Sequence, residues 1–197
     1  MDSVGIKVVG IGTVGNDVLN KIMEKKIAEV ELVGIDANQG NLDKLNVESK
    51  ILASGNFSEK VQSALKNTGL VFILTEMSEK KNNEIACIVS EVVKTMGIFT
   101  VVVVATSINS NGEAEEIKKL EEVSDTVIVL PLKKLMEADS SATFDKLFEK
   151  RDEIFIKNIE FQIIISCYCK CYKYKYNKKI GPVSYTHLRA HETGRNL

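Results

Sequence analysis

VGIKVVGIGTVGNDVLNKIMEKKI, residues 4–27, decides how the rest of the chain is read. A β-branched apolar run to Ile11 meets the glycine spacing Gly10-x-Gly12-x-x-Gly15. Val18, Leu19, Ile22 and Met23 then recur at helical intervals. A strand, a tight glycine turn and a helix in that order open an α/β unit. Glycines there let the chain turn sharply and let backbone N–H groups approach a phosphate at the helix start. Asp36 ends the next apolar run, Val30 to Asp36, about where a dinucleotide fold puts its ribose-binding acid. On these residues alone two readings stand: an NAD-binding Rossmann domain, or a strand–helix turn that binds nothing.

The same alternation continues. Ser49 to Ser54, Leu70 to Thr75, Ile98 to Ala105 and Thr126 to Pro131 read as further strands. Between them lie helical patterns, with Ser58 as an N-cap and Gly69 and Gly97 as helix stops. Apolar strands separated by helices predict a three-layer α/β fold, a parallel sheet covered on both faces. Ligand-binding loops then lie at the carboxyl edge of the sheet. The loop after the Leu70 strand, from Glu76 to Glu84, contains no glycine and carries Glu76, Glu79, Lys80, Lys81 and Glu84. On its own this run reads as a solvated helix start.

The chain has 197 residues and a net charge of −1, which fits a soluble domain. The absence of a long apolar run or leader points to the cytoplasm, with no transmembrane segment. Composition changes after Ile165. All five tyrosines, both histidines and three of the four cysteines lie beyond it. That tail holds seven basic residues and one acid, a formal charge of +6 against −7 for the remainder. PVSYTHLRAHET, residues 182–193, resembles the in-frame translation of a transposon-type sequencing adapter. The expected division is therefore a native domain over 1–165 and a non-native, disordered tail over 166–197. Cys167, Cys169 and Cys171 lack a fourth ligand at finger spacing, so no metal site is expected, and the basic Tyr-rich strip is not taken as a nucleic-acid surface. Cys87 reads as a small apolar residue rather than a nucleophile, because no histidine precedes residue 166 to activate it.

Residues 5–160 as a whole resemble the nucleotide-binding half of the FtsZ/tubulin family. IKVVGIGTVGNDVLNKI is similar to that family's first strand, glycine loop and helix; VELVGIDANQGNL to its second strand and turn; LVFILTEM with VVKTMGIFTVVVV to its central strands; and LFEKRDEIF to the start of its long central helix. The resemblance implies GTP or GDP binding and filament assembly in cell division. It assigns nucleotide contacts to Gly10, Gly12, Thr13, Gly15 and Asn16. Phe148 falls beside the base, and Glu153 or Asp152 on the acid that pairs with it. The family's phosphate loop, GGGTGTG, falls on Ser78 to Glu84, where every glycine is replaced. Asn111 replaces the ribose-contacting acid, Glu113 to Glu115 the arginines, and Leu132 an asparagine on the base side. The resemblance thus implies weak nucleotide binding or none, no catalytic residue, and self-association or docking on FtsZ-like filaments. Loss of a second domain is expected to leave Phe155, Ile159 and Ile163 exposed. A nucleotide-free interaction protein is the third reading.

Overall fold

A computed structural model describes residues 5–27, 30–108, 113–138, 141 and 143–175, with side chains up to 161 and at 163 and 164. Asn111, Gly112 and 176–197 lie outside it, as do the side chains of Cys167, Cys169 and Cys171. The strands are β1 (Gly5–Ile11), β2 (Val30–Asp36), β3 (Ser49–Leu52), β4 (Thr68–Glu76), β5 (Phe99–Thr106) and β6 (Thr126–Pro131). They form one parallel sheet in the order β3-β2-β1-β4-β5-β6. The order reverses between β1 and β4, so the loops after those two strands diverge and leave a crevice at the carboxyl edge.

The helices are α1 (Gly12–Glu24), α2 (Gln39–Asp43), α3 (Ser58–Ala64), α4 (Lys80–Thr95), α5 (Ala114–Val123), α6 (Leu132–Ala138) and α7 (Phe144–Lys175). Pleating sends Val9, Ile11, Val71, Ile73, Val102 and Val104 to one face, where they pack with Val61, Ala86, Val89, Val93 and Leu120 of α3, α4 and α5. Gly10 faces the opposite side, against Leu19 of α1. The continuous apolar runs follow from this: a strand buried on both faces favours apolar residues at nearly every position. Lys7 is the exception in β1. Its ammonium meets Glu31 at 2.7 Å and the Ala64 carbonyl at 2.8 Å, a cation at the end of α3.

Three local expectations change. Ser58 is the first helical residue of α3 rather than its cap, since Phe57 precedes it in the cap position and no side chain caps the helix. Gly69 lies inside β4; the reversal is made at Asn67, with φ 58°, a conformation that asparagine tolerates better than most residues. Phe155 and Ile159 are fully buried in the first unit rather than exposed. Ile163 is half-buried, and among the described side chains of α7 the exposed large apolar residues are Phe144, Phe148, Phe161 and Ile164. Gly97 does stop α4, with φ +69°.

The chain divides into a first unit, Met1–Glu160, and a second, Phe161–Leu197. In the second, the described backbone is helical to Lys175. No helix among the described residues is long and apolar enough to cross a membrane.

Candidate ligand edge

Helix α1 begins directly at Gly12, whose φ of +69° turns the chain out of β1. The other two glycines serve packing. A Cβ on Gly10 would lie 2.6 Å from the Gly15 carbonyl oxygen, and one on Gly15 would lie 2.3 Å from the Leu74 carbonyl oxygen of β4. Both contacts are with backbone, so neither can be relieved by a rotamer change. Gly10 and Gly15 are therefore needed to seat α1 on the sheet, whatever else the turn does.

Gly12 meets something different. A Cβ there would sit 2.3 Å from Nδ2 and 2.6 Å from Cγ of Asn82. The Asn82 carboxamide lies across the face of the glycine turn, and Nδ2 donates to Glu79 Oε2 at 3.4 Å. This follows from how the glycine-free run folds. After β4 only Met77 and Ser78 separate the strand from Glu79, which caps α4 in extended conformation. Residues 80–84 are already helix. The Asn82 and Asn83 N–H groups donate to the Glu79 carbonyl at 3.0 and 3.2 Å. Those two donors are spent inside the helix and do not face a ligand. Lys80 and Glu84 are exposed and 4.0 Å apart, a surface pair of little energetic weight. The solvated-helix-start reading of this run is what the structure shows.

A crevice of about 510 Å³ opens beside the turn, lined in part by Gly12, Thr13, Asp36, Asn41, Glu79 and Asn82. Its acid is already committed. Asp36 accepts from the Asn38 N–H at 2.8 Å, from Asn41 Nδ2 at 3.1 Å and from Asn16 Nδ2 at 3.5 Å. Those bonds hold the α2 turn, where Asn38 in turn caps the helix by accepting from the Gly40 N–H at 2.8 Å. A ribose hydroxyl at Asp36 would compete with these bonds for a buried carboxylate, which weakens the dinucleotide reading. Thr13 is exposed and accepts weakly from Asn41 Nδ2 at 3.4 Å. Asn16 is buried, with Oδ1 unpartnered and Nδ2 donating to the Ile35 carbonyl at 3.3 Å.

The residues expected on the base side form a charge network. Asp152 is buried. Its Oδ2 meets Lys21 Nζ at 2.6 Å and its Oδ1 meets Arg151 Nε at 2.8 Å. Arg151, also buried, reaches Glu76 Oε2 with Nη1 at 3.1 Å. Its guanidinium lies 5.0 Å from the centre of the Phe148 ring, which tilts against Phe144 at 6.3 Å. Glu153 is exposed and makes no part of this network. Leu132 is buried, and Glu113 is turned back to accept from the Ser107 N–H at 3.0 Å. Sequence reading missed Arg151, Glu76, Lys21 and Asn82. A paired Arg-Asp step on a helix was visible in the sequence, but partners 75 and 131 residues away were not.

Asp17 stands at the rim of the network. Partial burial first, then the Asp152 charge, push its carboxyl above the usual carboxylate range; Arg151, Lys21 and Lys44 oppose the rise. The folded state therefore disfavours ionised Asp17. That penalty is present at neutral pH, fades as pH falls through the raised folded value, and is gone below the unfolded value of 3.8. Asp17→Asn is expected to raise the urea midpoint at about pH 7 and leave it unchanged near pH 3. A midpoint difference that stays constant across that range contradicts this. Burial likewise raises the Cys87 thiol, with Glu91 adding to it, which suits an inert side chain against the core. Among the described residues, no group of three or more His, Cys, Asp or Glu is placed to hold a metal.

The six-stranded parallel sheet with its helices has the α/β fold of solved FtsZ structures. No family model matches the chain. Cell division protein FtsZ 1 of Pyrococcus abyssi is 26% identical over 181 residues, covering 79% of this chain and 49% of its own length. The corresponding protein of Methanocaldococcus jannaschii is 25% identical, covering 79% and 50%. Among solved structures, an empty FtsZ dimer from M. jannaschii superposes with a TM-score of 0.70 at 23% identity, over 80% of this chain and 54% of that one. CetZ from Methanosaeta thermophila gives 0.59 at 17%, over 80% and 54%. The chain spans about half the length of the curated relatives it matches.

Proposed function

We propose that this chain is an FtsZ-like cytoskeletal protein, with a place in cell division, whose nucleotide site is closed by its own side chains. The observation that carries the reading is the Asn82 carboxamide lying on Gly12, with the glycine-free run folded into α4. A triphosphate needs oriented backbone donors about 3 Å from its oxygens. Three or four charge-assisted bonds lost at roughly 1.5–3 kcal/mol each weaken GTP or GDP binding by several orders of magnitude. Gly10, Gly15 and Asn16 are then accounted for by packing and internal hydrogen bonds, and Gly12 by its turn and by Asn82. No catalytic residue is assigned. The native domain is taken as 1–165, the remaining residues as appended sequence, and the location as the cytoplasm.

Without nucleotide, the remaining role is contact with other copies or with FtsZ-like filaments. That one solved relative is described as an FtsZ dimer supports looking for self-association. Pelleting purified chain with and without assembled FtsZ filaments tests the role. Recovery in the pellet only with filaments, unchanged by GTP or GDP added to the chain beforehand, is the expected result. A chain that stays in the supernatant and is monomeric by light scattering contradicts it.

A further inference from the structure

We infer that Arg151 is the resident ligand of a seat for a planar, N–H-rich cation, formed by Phe148, Asp152 and Glu76. Three contacts of different kind converge on one guanidinium. Nε donates to Asp152 Oδ1 at 2.8 Å, Nη1 donates to Glu76 Oε2 at 3.1 Å, and Cζ lies over the Phe148 ring, 5.0 Å from its centroid. Two of its nitrogens meet two carboxylates, and its central carbon lies over a ring within cation–π reach. A simple ion pair needs only one of these, and a lysine would serve it. Two separate N–H donors fixed on two carboxylates, with the cation over a ring, describe recognition of a guanidinium or amidinium.

The seat is formed across the fold rather than by one helix turn. Glu76 ends β4, while Phe148, Arg151 and Asp152 lie on α7. The other oxygen of Asp152 is held by Lys21 of α1 at 2.6 Å, so both carboxylate oxygens are engaged. A planar heterocycle offering N–H groups to Asp152 competes there with Arg151 and Lys21. This consequence for nucleotides rests on the closed-site reading above; the seat itself does not.

Truncating the arginine and supplying its head group separately tests the seat. Arg151→Ala should unfold at a lower temperature than the unaltered protein. Millimolar methylguanidinium should raise the midpoint of Arg151→Ala in a dose-dependent way, as a ligand specific to the folded state must. Tetramethylammonium, with equal charge and no N–H, should not, and the unaltered protein should respond to neither. Arg151→Lys should recover only part of the lost midpoint. If Arg151→Ala does not fold, the double variant Glu76→Gln/Arg151→Ala leaves one buried charge fewer and takes the same titration. No selective rescue in any variant that folds, or full recovery by lysine, overturns the assignment. Nucleotide titration does not enter this test, so GTP binding by the unaltered protein would sink the closed-site reading and leave the seat standing.

Discussion

Gly15→Ala is expected to destabilise the domain by about 3 kcal/mol, at the upper end of overpacking costs, and to lower the melting midpoint by roughly 6–12 °C. The reason is local and rigid. The added methyl meets the Leu74 carbonyl oxygen at 2.3 Å and Gly10 backbone carbons at 3.1 Å, so α1 must lift away from β1 and β4. Lifting it also pulls Lys21 from Asp152 and Asn16 from the end of β2. Gly97→Ala is the comparison. Its φ is also positive, at +69°, but nothing lies within 4 Å of the new carbon. Only backbone strain remains, on the order of 1–2 kcal/mol. Urea unfolding of both variants checks the pair. Equal losses would show that the glycine turn is kept for its dihedral angles and not for close packing.

Replacing Ser78 to Glu84 with GGGTGTG is expected to fail as a repair. Five of those positions, Lys80 to Glu84, are helical in α4, and three of them would become glycine. At roughly 0.5–1 kcal/mol each, that weakens the helix start by about 1.5–3 kcal/mol. Asn82 leaves the Gly12 turn, which opens the phosphate side. The base side stays shut, because Arg151 and Lys21 still hold Asp152. GTP binding in the micromolar range is therefore not expected from the graft alone. If the graft alone reaches it, Arg151 is no obstacle and Asn82 with its helix is the whole block.

These contrasts also show what the sequence made legible. Strand positions were readable because a parallel strand covered on both faces is largely apolar, as in Ile98 to Ala105, where Thr100 is the one polar residue, against the observed β5. The helical character of Lys80 to Glu84 was readable because nothing in the run breaks a helix. Partners distant in the chain were not readable. Asn82 looked like one polar residue in a charged loop until α4 carried it over Gly12. Asp152 looked available until Lys21 and Arg151 filled both its oxygens. Phe155 and Ile159 looked stranded because a missing neighbour was assumed to cover them, whereas both are buried within the first unit.

Titration of a fluorescent GTP analogue against the unaltered protein, with NAD in parallel, tests the closed site most directly. No saturable signal is expected for either ligand up to roughly 100 μM. Saturation by GTP with a Kd in the low micromolar range would contradict it, and saturation by NAD would return the domain to the dinucleotide-binding class.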